Sequence, residues 1–437
     1  MTAQPGWSAK KLCAPVTHVT VFADDFSGAC DTGIVFKSPV CDVLVHLDTT
    51  DMSAQRGSQR VDVFHSDTRK YPAVRAAAIA GDAARQVPSG PGQRVYQKID
   101  STMRGSVGAE VNAILTALGW NVAVLCPAFP AMGRTVVSGR LLVDGQPIST
   151  TDYGRDPRNP ISLDALADLV HQTDPTLDVR ACTPGTLVDV LLDLHQAGCR
   201  CVIAVDATTT DDLQQIADVL ADCPNVLPVG SAGLARALAS SWGLSSTDPP
   251  RHQTLRVARS FIVSGSANPR SISQLAVLAV EDPRYSIVRI DKGQLLTKAD
   301  ADQEISSVNQ QIRQAMAENS VLAVALSDER QPGQPYQGTF ESFVASMVAD
   351  TIKALPEQLS DIAITAGGAD TCLSLCRMLG VRTLAPQEEV VPGLPWSIAD
   401  NGLNVISKAG GFGDDRALLA CARFVHDPSN PFNPQEI

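Results

Sequence analysis

The stretch HVTVFADDFSGACDTG, His18 to Gly33, decides how the rest of the chain is read. Its opening residues are mostly β-branched or apolar, with no clean alternation. Such a run reads as a strand buried on both faces, as in a parallel sheet. It ends on two adjacent aspartates, followed by a turn of small residues. Strands of this kind alternating with helices predict a mostly parallel sheet covered by helices.

The same rhythm continues outward from this stretch. CDVLVHL (41–47), RVDVFHSDT (60–68), RVYQKIDST (94–102), NVAVLCPAFP (121–130) and CRCVIAVDATT (199–209) read as strands. Residues 69–87 read as an Ala-rich helix after Pro72, a residue suited to a first turn. Residues 108–119 have helical periodicity and end on Gly119, a C-cap residue. A further helix is expected over 211–220. GRTVVSGRLLVDGQPI (133–148) breaks the rhythm and reads as a hairpin or extended excursion, placed to form a lip over the first-domain site.

SSWGLSSTDPPRHQ (240–253) is rich in Ser and Pro and lacks periodicity, as a linker does. A second α/β series follows it. Strands are expected at 260–266, 285–290, 321–327 and 361–368, and helices around 270–281, 299–317, 339–355 and 370–379. Residues 404–425 read as a strand, a glycine turn and a helix. The expected organisation is an α/β domain over 1–240, a linker over 241–254 and a second α/β domain over 255–437. Each has a mostly parallel sheet, and the two are expected to face across an interdomain cleft.

Composition narrows the function classes. The chain has 437 residues, of which 44% are hydrophobic, and 35 basic against 47 acidic side chains give a formal charge of -12. That balance argues against a nucleic-acid surface, which needs dense Lys and Arg on one face. It also argues against an anionic membrane as partner. An anionic small molecule stays compatible, because a few local cations outweigh distant negative charge. The 11 cysteines form no framework. Neither Cys199 with Cys201 nor Cys372 with Cys376 has the second pair and histidine of a structural zinc site. Mostly in apolar runs, they read as reduced core thiols, which points to a reducing, cytoplasmic setting. The start, MTAQPGWSAKKLCAP, has no apolar h-region, and no stretch approaches a membrane span. A homodimer is compatible with this size.

In open parallel sheets, ligands bind beyond the carboxyl ends of the strands. Asp24, Asp25, Asp67, Asp100 and Asp206 all fall at such ends. Each has a simpler use as a helix cap or turn residue. Asp25 is the candidate general base for transfer to an alcohol, with Asp24 as substrate binder or turn support. Magnesium coordination is the alternative for the pair. Arg69, Lys98 and Arg104 sit beside the strand ends and suit a carboxylate. Their alternative use is structural pairing, Arg69 with Asp67 and Arg104 with Asp100. Arg134, on a proline-bounded loop, either touches an anionic group or faces water. Basic and acidic residues together fit a polyhydroxylated carboxylic acid.

The second half carries three glycine turns, SGSANPRS (264–271), TAGGADT (365–371) and KAGGFGDD (408–415). Backbone N–H groups in such turns, and at the helix starts beyond them, hold phosphate oxygens. None is a GxxxxGK[ST] loop or a GxGxxG fingerprint. Ser264 and Ser266 read as phosphate ligands or helix caps. Lys408 reads as a phosphate-neutralising cation or a solvated lysine. Asp370 reads as a helix cap or a water-mediated magnesium ligand. No GxSxG motif and no metal-ligating histidine pattern is present, so the metal ligands stay unassigned.

Taken in order, FADDFSGACDTG, SDTR, KIDSTMRG, PAFPAMGRTVVSG, VGSAGLA, SGS, TAGGADT and SKAGGFG resemble the four-carbon acid sugar kinase family across nearly the whole chain. The resemblance implies an amino-terminal substrate domain and a carboxyl-terminal nucleotide domain. It implies transfer of the ATP γ-phosphoryl group, with Mg²⁺, to the C4 hydroxyl of D-threonate, D-erythronate or a 3-oxo-tetronate. By motif, Asp24, Asp25, Arg69, Lys98, Asp100 and Arg104 fall in the substrate-domain signatures. Ser264, Gly265, Ser266, Gly367, Gly368, Ala369, Asp370, Lys408, Gly410 and Gly411 fall at the ATP-binding positions. The family usually reads GGET where this chain has Gly367-Gly368-Ala369-Asp370, and KSG where it has Lys408-Ala409-Gly410. Two other readings stand beside this one: a kinase for another small hydroxy acid, and a non-catalytic sensor of nucleotide and sugar acid.

Overall fold

The computed structural model describes residues 14–49, 59–155, 160–245, 255–265, 269–291, 298–318, 321–327 and 340–426. The chain divides into two compact units, Met1–Val43 with Asp48–Thr247, and Leu44–Leu47 with Asp248–Ile437. The expected linker, 241–254, lies largely outside the described residues.

In chain order the first unit holds β1 (His18–Ala23), α1 (Phe26–Phe36), the start of β2 (Asp42–His46), β3 (Arg60–His65), α2 (Ala73–Ala84), β4 (Gln93–Lys98), α3 (Val107–Leu118) and β5 (Val122–Cys126). An excursion follows, formed by β6 (Arg134–Val137), β7 (Arg140–Val143) and β8 (Gln146–Pro147). Then come α4 (Leu166–His171), β9 (Asp178–Cys182), α5 (Leu187–Ala197), β10 (Cys201–Val205), α6 (Thr210–Ala221), β11 (Val226–Gly230) and α7 (Ala232–Ser241).

The main sheet of this unit runs β3–β1–β4–β11–β5–β10–β9, and these pairs are all parallel. Every residue of β1 is buried, as expected for a strand with helices on both faces. The chain leaves β1 for β3 on one side and then crosses to β4 on the other. The end of β1 is therefore a topological switch point, where the loops diverge and leave a crevice. Ala23 pairs level with His65 and with Lys98, so the three loops beyond them start at one height.

One local feature differs from the sequence reading. The small residues after Asp25 form α1, a helix of 11 residues, rather than a turn. Ten of its residues are buried, so packing overrides the weak propensity of Gly, Ser and Thr. The 133–148 excursion is a three-stranded antiparallel sheet of its own. Its β6–β7 turn is held by Asp206, whose carboxylate accepts from the Ser138 and Gly139 N–H groups at 2.8 Å each. Of the five strand-end aspartates, Asp206 thus serves a turn, the simpler of its two readings.

The second unit holds β12 (Arg259–Ser264), α8 (Pro269–Glu281), β13 (Ser286–Asp291), α9 (Lys298–Glu318), β14 (Val321–Ser327), α10 (Phe340–Lys353), β15 (Ile362–Gly367), α11 (Ala369–Met378), β16 (Thr383–Val391), β17 (Leu394–Ala399), β18 (Asn404–Lys408) and α12 (Ala417–His426). Its strand order is β13–β14–β12–β15–β18–β17–β16. The pairs from β13 to β18 are parallel, and β17 and β16 continue antiparallel. The β16–β17 hairpin was absent from the sequence reading, because PQEEVVPGLPW mixes proline and acids with short apolar runs. The chain fills β14 and β13 on one side of β12 before crossing to β15, so this sheet also switches direction, between β12 and β15. Apolar residues of β12, β14 and α8 pack with α12 in one core cluster, and Trp396, Ile406 and Cys421 lie in another.

Candidate active site

The first cluster lies at the β1 switch point. Asp25 is the N-cap of α1, with extended backbone at φ -142° and ψ 162°. One carboxylate oxygen, Oδ1, accepts from the Gly28 N–H at 2.9 Å. Its other oxygen accepts from Arg69 Nη1 at 2.9 Å. Arg69 grips Asp24 at the same time, through Nε to Oδ2 at 3.0 Å and Nη2 to Oδ1 at 2.9 Å. Arg69 stands on a short 3₁₀ turn, Thr68–Lys70, after β3, and its N–H donates to the Asp24 carbonyl. Its partners are therefore the β1 aspartates; Asp67 instead sits near Lys70 and His65, with its backbone in the left-handed region at φ 57°.

Lys98 ends β4 and is buried against Gly28. A Cβ on Gly28 would fall 2.4 Å from Lys98 Nζ and 2.5 Å from Asp25 Oδ1, so glycine is what lets ammonium and carboxylate come together there. Among the described residues Lys98 Nζ has no hydrogen-bond partner. Asp100, in the loop after β4, accepts from Thr102 Oγ1 and Arg104 Nε. Arg104 and Arg134 both approach the ring of Tyr153, at 5.6 and 5.7 Å from its centroid. Asp100, Arg104, Tyr153 and Arg134 thus form one chain of charged and aromatic contacts, and the charge of Asp100 also acts on Arg69.

Electrostatics separates the two neighbouring aspartates. Burial pushes the Asp24 carboxyl above its ordinary value, against the pull of Arg69 and Lys98. Burial acts the same way on Asp25, but Arg69, Lys98 and the Gly28 N–H together outweigh it and hold the group below the ordinary value. For Asp100, burial is likewise overcome by Arg104 and Arg69, leaving its carboxyl far below the usual range. The side chain of Asp24 is 2% exposed and that of Asp25 is 18% exposed. Asp25 is therefore ionised and partly open, whereas Asp24 is an interior anchor for Arg69.

Glu110 lies beneath this cluster on α3, and sequence reasoning passed over it. Its Oε2 accepts from Thr68 Oγ1 at 2.9 Å and from Gln97 Nε2 at 3.1 Å. Burial, and then the Asp24 charge, push its carboxyl up to about 8. The signal was present in the sequence: a single acid among the apolar residues of GAEVNAILTALG. Tyr153 gave no such signal, because it sits in a stretch without periodicity.

The second cluster lies on the second unit. Ser264, Gly367 and Lys408 are register partners at the carboxyl ends of β12, β15 and β18, so all three glycine turns leave from one row. Among the described residues, the Oγ of Ser264 and the Oγ1 of Thr371 are buried and have no hydrogen-bond partner. A Cβ on Gly265 would lie 2.1 Å from Thr371 Oγ1, so only glycine leaves that approach open. Gly368 precedes α11 as its N-cap and brings no side chain to cap that helix end. Ala369 and Asp370 form its first turn. Orphaned hydroxyls beside an uncapped helix start fit the oxygens of a phosphate.

Lys408 is 1% exposed. Its ammonium donates to the carbonyls of Gly410 and Ala409, at 2.9 and 3.2 Å, and to Ser271 Oγ at 3.4 Å. Burial, with Arg270 nearby, lowers its pKa to about 8. In this structure it organises the last glycine turn from within. Gly410 directs its carbonyl inward, to Lys408 and Ser271, while Gly411 is exposed. Ser266 lies outside the described residues. Among the described residues, no group of three or more His, Cys, Asp or Glu side chains is placed to hold a metal ion.

A sugar-binding N-terminal domain model matches residues 19–238, and a nucleotide-binding C-terminal domain model matches residues 261–418. The D-threonate kinase of Salmonella typhimurium (strain LT2) is 30% identical over 429 residues, covering 93% of this chain and 98% of that protein. The chain belongs to the four-carbon acid sugar kinase family. Within that family the D-erythronate kinase of Heliobacterium modesticaldum is 26% identical, over 94% of this chain and 97% of its own. A solved structure from Salmonella typhimurium LT2 shares the fold, with a TM-score of 0.74 at 22% identity, covering 94% of this chain and 100% of that one. Among the described residues, no helix is long and apolar enough to cross a membrane. The described cysteines are free thiols, most of them buried.

Proposed function

We propose that the protein is an ATP-dependent kinase that phosphorylates the C4 hydroxyl of a four-carbon sugar acid, D-threonate, D-erythronate or a 3-oxo-tetronate. The observation that carries this reading is the pairing of chemistries on the two units. One holds an ionised, partly open Asp25 beside Arg69 and Lys98, with Arg104 and Arg134 meeting at Tyr153. The other holds a register row of glycine turns with orphaned Ser264 and Thr371 hydroxyls. We assign the acid to residues 1–240 and the nucleotide to residues 255–437.

Asp25 orients the acceptor hydroxyl and takes its proton as the oxygen bonds to the γ-phosphorus, whose bond to the β,γ-bridging oxygen breaks to release ADP. Being ionised at neutral pH, it is in the form that can accept. Lys98, buried beside it, supplies an ammonium to the developing charge. Arg104 and Arg134 receive the carboxylate, for which a planar guanidinium fork is suited. Asp24 acts through Arg69, which it fixes. Asp100 holds Arg104 and remains the candidate hydroxyl acceptor beside it; Asp67 stands at the rim. Ser264, Gly265, Ser266, Gly367, Gly368, Ala369, Asp370, Gly410 and Gly411 offer hydroxyl and N–H donors to the phosphates, with Lys408 shaping the last turn. When bound, Mg²⁺ neutralises phosphate charge. Asp370, the carboxylate beside the glycine turns, would hold the ion through water. We infer a cytoplasmic enzyme.

The test is ADP release with ATP, magnesium and a panel of four-carbon acids and other hydroxy acids. Release with a four-carbon acid, and a product phosphorylated at C4 by NMR, is the expected result. Tight binding of acid and nucleotide with no ADP above the acceptor-free control would sink the kinase reading. Comparing threonate with erythronate resolves the substrate, since the two differ in the direction of one hydroxyl.

A further inference from the structure

We propose that Tyr153 is a specificity-determining positioning residue for the carboxylate end of the substrate, joining Arg104 and Arg134 into one anion receptor. The inference rests on the sugar-acid reading above.

Arg134 opens β6, and its guanidinium is held from two sides. Nη1 donates to the Met132 carbonyl, and Nη2 donates to Tyr153 Oη at 2.7 Å. Its Nε is buried and has no acceptor. Among the described residues no carboxylate pairs with Arg134. Arg104 approaches the same ring while Asp100 balances its charge. Two guanidinium groups therefore share one aromatic ring, Arg104 with its carboxylate partner Asp100 and Arg134, among the described residues, without one. Two like charges on one ring are stabilised only in part by its π face. The unbalanced charge of Arg134 and its unused Nε–H together call for an anion with hydrogen-bond acceptors, which a carboxylate supplies.

The tyrosine is held in place for this duty. Its N–H donates to Thr151 Oγ1 at 3.4 Å, and its carbonyl accepts from the Ile161 N–H at 3.2 Å. It stands on the 3₁₀ turn Asp152–Arg155, which follows the antiparallel excursion that carries Arg134. Phenylalanine would keep the ring but remove the acceptor for Nη2. Arg134 would then have a second donor without a partner and be held from one side only, by the Met132 carbonyl.

The experiment uses the full chain and its Tyr153→Phe variant, with the acid that gives the highest ADP release. Tyr153→Phe is expected to raise KM for the acid roughly tenfold, as for loss of a hydrogen bond to a charged group. The kcat is expected to stay within about twofold and KM for ATP to be unchanged, since neither depends on the receptor. A Tyr153→Phe/Arg134→Lys double variant separates positioning from a general structural role. If Tyr153 acts through Arg134, the double variant loses little more acid affinity than Arg134→Lys alone. Additive losses, or an unchanged KM for the acid in Tyr153→Phe, would overturn the proposal. Calorimetric binding of the acid is measured in parallel. An acid that binds without being phosphorylated would defeat the kinase reading, and its affinity for the two variants would still decide the role of Tyr153.

Discussion

Arg69 and Asp24, 45 residues apart in the chain, are joined by two parallel hydrogen bonds of 2.9 and 3.0 Å. The third arm of the same guanidinium reaches Asp25. One half-buried cation therefore sets the positions of both strand-end acids, and only the second of them is partly open. The side chain of Arg69 is 17% exposed, so little water screens this pairing. Replacing Arg69 by Met is expected to leave two buried carboxylates without their shared partner. Breaking a buried pair in this way costs about 3–5 kcal/mol. Urea unfolding at neutral pH measures it, and a loss under about 1 kcal/mol would mean that water already compensates the pair.

Asp25→Asn is expected to lower kcat by about 100- to 10,000-fold, the usual range for a lost proton acceptor. Asparagine is as good an N-cap as aspartate, so α1 should keep its start. Asp25→Ala should show the same loss of turnover and an added destabilisation of about 1 kcal/mol from the lost cap. Near-normal turnover in a folded Asp25→Asn protein would remove Asp25 from the proton-accepting role.

Gly28→Ala separates site geometry from stability. The new methyl would meet the ends of two flexible side chains, Lys98 Nζ and Asp25 Oδ1, rather than backbone. Those ends can swing aside at modest cost to the fold. Displacing reactive groups by an ångström costs about 100-fold in rate. The melting temperature is expected to fall by only a few degrees while turnover falls by about that factor. A variant that keeps full activity would show that Lys98 and Asp25 need not meet at Gly28.

Glu110 makes stability depend on pH in a direction opposite to that of a salt-bridged acid. Its folded pKa is raised to about 8, against 4.5 for the free side chain. Between those values the folded chain binds a proton that the unfolded chain has lost. Its stabilising contribution is therefore complete below about pH 4.5 and is lost as the pH rises towards 8. Glu110→Gln, which keeps an acceptor for Thr68, removes this slope. Relative to wild type, the variant is expected to gain about 1.4 kcal/mol per pH unit between pH 5 and 8. Parallel pH profiles of the two proteins in urea unfolding would show that Glu110 titrates normally.

Ser264→Ala removes a buried hydroxyl that has no partner among the described residues. Stability without nucleotide is expected to be unchanged or about 1 kcal/mol higher. KM for ATP is expected to rise about tenfold, as for a lost hydrogen bond to a charged phosphate. Thermal melts with and without ATP read both effects. A variant that loses stability but keeps its ATP response would make the hydroxyl structural.

The sequence by itself determined the alternation of strands and helices, and so the two α/β units. It also determined which residue types stand at the strand ends, because buried strands must be apolar and polar residues collect where they stop. Local pattern could not reveal α1, whose glycines and small polar residues become helical only because ten of eleven are packed away. Nor could it tell Asp25, which stays partly open, from Asp206, which is spent on the Ser138–Gly139 turn. The pairing of Arg69 with Asp24 rather than Asp67, the placement of Glu110 beneath them and the meeting of Arg104 with Arg134 across Tyr153 were decided by tertiary structure. Each depends on strand order, which sets residues distant in sequence side by side, and on burial, which fixes how strongly their charges act on one another.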